Sequence, residues 1–156
     1  MKKFFSNFEE YLVAASLFTM TLIAFANVLS RKLFQQSWSF TEEITTNLFI
    51  LASMLGAAIA AKRGAHLGLS LLTDFFPQKY QRYIALISTV IAVAFSLVMI
   101  VYGLEIVKQE FITKQLTPAL GWPEWIFGTF IPIGGVFILI RYVEAAIVAF
   151  KTKEVE

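Results

Sequence analysis

The sequence predicts an all-α integral membrane protein: four transmembrane helices, an amphipathic helix lying in the cytoplasmic interface, and both termini in the cytoplasm. Three observations carry this. Of 156 residues, 58% are apolar and only 15% are charged, where soluble domains run roughly half and a quarter. The charges collect in clusters that leave four runs without Asp, Glu, Lys, Arg or His. The lysines and arginines are shared unequally between the two sides that those runs define.

The first run, Tyr11–Ser30, has 20 residues between Glu10 and Arg31. The second, Ile44–Ala61, has 18; the third, Tyr83–Leu104, has 22; the fourth, Trp125–Ile140, has 16. About 20 apolar residues in a helix cross about 30 Å of hydrocarbon. The two shorter runs gain length from flanking long side chains that reach back to the interface. Residues 1–156 therefore read as one membrane domain with spans at about 11–30, 44–61, 83–104 and 125–140. An even number of spans puts both termini on one side. That side holds nine basic residues (Lys2, Lys3, Lys62, Arg63, Lys79, Arg82, Arg141, Lys151, Lys153) against four on the other (Arg31, Lys32, Lys108, Lys114). The positive-inside rule makes the richer side cytoplasmic. Trp38, Trp122 and Trp125 then lie at the outer interface, as membrane anchors. Lys2-Lys3 ahead of an apolar run loosely resembles a secretion signal, but Glu9 and Glu10 intervene and the run is long for one.

The connections come next. Between the first two spans, Ser39 and Glu42 have capping-box spacing, and Glu42 and Glu43 fall in the first turn of the second helix, where the macrodipole favours anions. Arg31 and Lys32 close the first helix on the side where basic residues are scarce, which marks them as docking candidates. The next connection begins Lys62-Arg63-Gly64-Ala65-His66. Beyond it, Leu67, Leu71 and Phe75 share one helical row, with Ser70, Thr73 and Asp74 opposite and Pro77 as a stop. That is an interfacial helix at about 66–76, anchored by Arg63, His66, Leu71 and Phe75 against phospholipid. The third helix continues beyond the bilayer through Glu105, Lys108, Glu110 and Lys114. Pro118, Gly121 and Pro123 then make a stiff irregular turn, and Pro132 with Gly134-Gly135 predicts a kink in the last helix.

The chemistry is sparse. Without cysteine, and with His66 as the one histidine, thiolate metal sites, disulfides and bis-histidine haem are excluded, and no metal or cofactor site is expected. A net charge of +2 gives no reason to expect nucleic acid. Proton relays and ion paths place ionisable groups at membrane depth. The long spans offer only Ser, Thr and Asn there, suited to interhelical hydrogen bonds. No catalytic constellation is visible, so a non-enzymatic role is expected. Ala52, Gly56, Ala60 and Gly64 form one row of small residues, and Ser53, Ala57, Ala61 and Ala65 the next. Such rows serve either packing within the four-helix unit or docking of a second membrane protein. An accessory subunit fits best; the alternative is a self-contained oligomeric small transporter or channel.

The order of motifs resembles a known family. Asn27-Val28 and Arg31 come first, then Trp38, Phe40-Thr41-Glu42-Glu43 and Leu55-Gly56-Ala57-Ala58. Lys62-Arg63-Gly64-Ala65-His66-Leu67-Gly68-Leu69 follows, then Thr117-Pro118-Ala119-Leu120-Gly121-Trp122-Pro123 and Pro132-Ile133-Gly134. Over roughly Ala24 to Arg141 the chain looks like the small (DctQ-type) membrane subunit of tripartite ATP-independent periplasmic (TRAP) transporters. The resemblance implies two partners. One is a large membrane subunit that moves an organic acid (a C4-dicarboxylate or a sialic acid) with sodium by an elevator motion. The other is a periplasmic substrate-binding protein. Sodium would belong to the large subunit. On that basis Arg31, Lys32, Lys108, Glu110 and Lys114 become candidates for docking the binding protein. Ala52, Gly56, Ala60, Gly64, Pro118, Gly121 and Pro123 become candidates for contact with the large subunit. Because the sequence stops at Glu156, the large subunit is expected as a separate chain.

Overall fold

The structure, a computed structural model, describes residues 8–62 and 78–151. Its helices are α1 (Phe8–Phe34), α2 (Phe40–Lys62), α3 (Gln78–Thr113), the single turn α4 (Trp125–Gly128) and α5 (Phe130–Lys151). No strand occurs among the described residues beyond one isolated bridge between Leu116 and Pro123. Four segments are long and apolar enough to cross a membrane, with α4 and the start of α5 sharing the fourth. The interfacial helix expected at about 66–76, with Arg63, Gly64, His66, Leu71 and Phe75, lies outside the described residues.

At about 1.5 Å per residue, α1 is about 40 Å long and overreaches the hydrocarbon at both ends. Its first turn holds Glu9 and Glu10 and its last turn Arg31 and Lys32; α2 likewise runs from Glu42 and Glu43 to Lys62. Both follow the macrodipole. α3 continues through Glu105, Lys108 and Glu110 to Thr113, as the sequence predicts.

The helices form a row in the order α1, α2, α5, α3. α2 packs against α1 on one side and α5 on the other, and α5 packs on to α3. The residues facing inward mix small and polar side chains with a few larger apolar ones, among them fully buried Leu55. On α1, buried Glu9, Ser16 and Ser30 interleave with half-buried Val13, Met20, Ile23 and Asn27 at alternating steps of four and three, the repeat that keeps one stripe against a neighbour. The opposite stripe exposes Phe18, Leu22, Phe25 and Leu29. Without a hydrophobic drive between helices in lipid, small side chains mediate close contact and bulky apolar ones face the tails. α2 buries Ala52, Leu55, Ala58 and Ala61.

α5 sits between two neighbours because of its paired glycines. A Cβ on Gly134 would collide with Met54 of α2. A Cβ on Gly135 would come 3.0 Å from Cγ1 of Ile100 on α3. On α3, Gly103 lies against Pro132, whose Cδ would be 2.9 Å from an added Cβ. Pro132 also explains the break at Thr129. Without an N–H it cannot bond to the Gly128 carbonyl four residues earlier, so the chain closes α4 there and restarts as α5. The predicted kink is this interruption, and the glycines serve helix approach.

Candidate functional site

Two groups of polar side chains cap the row, one at each end. At the end holding residues 35–39 and 114–124, short connections are tied back on to the helices. α1 stops at Gln35, which has a left-handed φ of 53°. The amide oxygen of Asn27 accepts the Trp38 N–H at 2.9 Å, and the Ser30 hydroxyl donates to the Gln36 carbonyl at 3.1 Å. The start of α2 is closed by the Thr41 N–H donating to the Trp38 carbonyl at 3.1 Å. Ser39 lies within that turn, and Glu42 and Glu43 follow in the first helical turn of α2.

α3 ends in the same manner. Lys114 has φ 51°, and the Gln115 N–H donates back to the Glu110 carbonyl at 3.2 Å, the long bond of a Schellman ending. Residues 115–124 then form a hydrogen-bonded clasp, where the sequence suggests only an irregular turn. The Thr117 N–H donates to the Trp122 carbonyl at 2.8 Å, the Glu124 N–H donates to the Gln115 carbonyl at 3.0 Å, and the Thr117 hydroxyl accepts the Trp122 N–H at 3.0 Å. Gly121, with φ 66°, supplies the reversal. Glu43 fastens this clasp to α2 by accepting the Ala119 N–H at 2.8 Å through Oε2. Aromatic side chains surround it: Trp38 stacks on Phe40 at 5.6 Å, Trp122 on Phe127 at 6.4 Å, and Trp125 meets Phe111 edge-on at 5.9 Å.

The opposite end is ionic. Glu9 on α1 is 1% exposed. Its two carboxylate oxygens accept from Nε and Nη2 of Arg141 on α5 at 2.7 and 2.9 Å, a bidentate pairing. Nη1 of Arg141 donates to Glu144 at 2.6 Å. Lys62 at the end of α2 pairs with Glu10 at 3.7 Å.

This geometry sorts the residues singled out from the sequence. Arg31 and Lys32 are exposed at the end of α1, and Lys108 and Lys114 are exposed at the end of α3. All four share one end of the molecule, but α2 and α5 stand between the two groups, so they form two edges rather than one patch. Glu110 differs from them. It is half-buried, with Oε2 screened from solvent and its carboxylate packed against Gly128. In the row of small residues, Ala52 is buried inside the molecule, Gly56 has open space where a Cβ would stand, and Ala60 is exposed. The exposed stripe beside it is Ser53, Ala57 and Ala60. All three tryptophans lie at the clasp end. Glu9, Asn27 and Arg141 carry the most specific contacts yet were not grouped from sequence. The sequence offers only weak signals for them: opposite charges flanking two spans on the same side, and an amide one turn from a span's end. Among the described residues no three His, Asp or Glu side chains converge to hold a metal.

Residues 20–152 match the family of tripartite ATP-independent periplasmic transporters, DctQ component. The chain belongs to this family. It is similar to the ectoine TRAP transporter small permease protein TeaB of Halomonas elongata, with 25% identity covering 96% of this chain and 78% of the relative. It is 31% identical to the C4-dicarboxylate TRAP transporter small permease protein DctQ of Vibrio cholerae over 64% of this chain, a match spanning only 43% of that relative. The sialic acid TRAP transporter permease protein SiaT of Haemophilus influenzae matches at 23% identity over 96% of this chain and 24% of its own length. The protein is thus a TRAP small permease subunit, crossing the bacterial inner membrane several times.

Proposed function

We propose that this subunit braces the large membrane subunit of a TRAP transporter and helps receive the periplasmic substrate-binding protein during sodium-coupled uptake of an organic acid. Sodium and substrate would be bound by the partners. The carrying observation is the open row: its polar groups are engaged in holding helix ends together, and its central helix α2 leaves a stripe of small residues uncovered. Ser53, Gly56, Ala57 and Ala60 let another helix backbone approach closely, whereas the outward stripe of α1 is Phe and Leu and suits lipid. Pro118, Gly121 and Pro123, in the clasp above α2, extend that contact. SiaT supports a large membrane partner, since a segment similar to this chain occupies only a quarter of it. Relatives named for C4-dicarboxylates and ectoine leave the organic acid class broad. Arg31, Lys32, Lys108 and Lys114 would meet the binding protein along two edges, and Arg63 and His66 with Leu71 and Phe75 would anchor the scaffold in phospholipid.

The test is reconstitution. The chain should co-purify with a large multi-span subunit, and uptake into vesicles should need both chains plus the binding protein. Full-rate transport by the large subunit alone would sink the proposal. Arg31→Glu should weaken binding-protein-dependent uptake severalfold while the two-chain complex stays intact; unchanged kinetics would remove Arg31 from the docking edge.

A further inference from the structure

We propose that Arg141 is the positioning residue for the first transmembrane helix, acting through Glu9 as a latch between the end of the helical row and its centre. Among the described helices, α1 packs extensively only against α2. A helix held by one neighbour along a stripe of Ser, Val, Met and Ile is free to turn about its axis or slide, because these side chains contact without directional bonds. Directional contacts near both ends of the helix oppose this. At the clasp end, Asn27 and Ser30 bind the connection that follows α1, which moves with the helix. At the other end, Glu9 reaches past α2 to a residue of α5, 132 positions further along the chain. The Glu9 carboxylate is buried and both its oxygens are taken by a planar guanidinium. Such a fork has one geometry, so it fixes both rotation and height of α1. Arg141 is itself held from behind by Glu144, at 2.6 Å on the next turn of α5, so the guanidinium is oriented whether or not α1 is in place. The neighbouring charges at this end, Glu10 and Lys62, pair with each other at 3.7 Å. They are more exposed than Glu9 and supply a looser second contact.

The absence of cysteine makes the test clean, because single reporters can be introduced into the full chain without background. Ser16 on α1 faces α2 and is buried; Ser96 on α3 faces α5 and is buried. In the purified protein, maleimide labelling of a Ser16→Cys reporter should rise about tenfold or more on adding Arg141→Ala or Glu9→Gln, as α1 opens locally. A Ser96→Cys reporter should stay within about twofold of its starting rate. The charge swap Glu9→Arg with Arg141→Glu should restore protection of Ser16→Cys, since an arginine at position 9 would meet acidic groups at 141 and 144. Glu144→Gln should open Ser16→Cys far less than Glu9→Gln does, since the glutamine amide oxygen can still accept from Nη1 of Arg141. The proposal is overturned if Ser16→Cys stays protected in Arg141→Ala, if both reporters open together, if the swap fails to restore protection, or if Glu144→Gln opens Ser16→Cys as far as Glu9→Gln does.

Discussion

The two ends of the helical row do the same mechanical job with opposite chemistry. At the clasp end, neutral backbone groups predominate: Thr117, Trp122, Gln115 and Glu124 bond to one another locally, and a single carboxylate, Glu43, joins the clasp to α2. At the other end, side chains predominate, and two full charges, Glu9 and Arg141, join helices distant in sequence. Many modest hydrogen bonds share the load at the first. At the second, the most deeply buried contact is a single bidentate charge pair. Such sites respond differently to damage. A network loses one bond at a time, each of modest net value, whereas a buried pair that loses one partner leaves an uncompensated charge.

The sharpest way to break the comparison is therefore Arg141→Ala. Stability of the purified protein, read by thermal unfolding in detergent, should fall by about 3–5 kcal/mol. Replacing both partners by leucine should bring stability back close to the parent or above it, because paired buried charges are often no better than packed apolar groups. If the double variant is as damaged as the single one, the cost does not come from the stranded Glu9 charge. The corresponding change at the clasp end, Glu43→Ala, should cost less, about 1.5–3 kcal/mol for a hydrogen bond to a charged acceptor. It should loosen the clasp without unfolding the row. Proteolysis between Thr117 and Pro123 should then rise, and the thermal midpoint should fall by less than in Arg141→Ala.

How far these ends were legible in the sequence follows from the range of the forces involved. The four spans were visible because lipid demands long uncharged runs with every backbone group bonded internally, and that demand is written residue by residue. The continuation of α3 past the bilayer was visible for the same reason. Helix order was not: Gly134 and Gly135 announce close approach, but nothing beside them says that one faces Met54 and the other Ile100. Read alone, Pro132 with two glycines suggests a kink inside one helix, whereas the fold uses the proline to end α4 and the glycines to seat α5 between two neighbours. The Pro–Gly–Pro stretch marked a turn correctly, but not the bonds that Thr117 makes across it, which depend on which backbone groups the reversal at Gly121 brings together. Glu9 and Arg141 each carried a plain local reading, as an acid ahead of the first span and as a topology charge. Only the tertiary arrangement shows that they share one depth and one gap.

The smallest effect separates conformation from charge at Lys114. A residue other than glycine in the left-handed region carries a cost of about 1–2 kcal/mol, and Lys114 sits there to close α3. Lys114→Gly removes that cost but adds freedom to the unfolded chain, so the net gain should be under about 1 kcal/mol, measured as a small rise in thermal midpoint. Lys114→Ala keeps the left-handed strain while losing the charge, so its midpoint should stay at the parent's value. Both variants remove the same cation from the α3 edge. If that edge receives the binding protein, the two should lower binding-protein-dependent uptake equally despite their different stabilities. A loss in the alanine variant alone would place the importance of Lys114 in the turn, and would leave Arg31 and Lys32, at the far end of the row, as the docking edge.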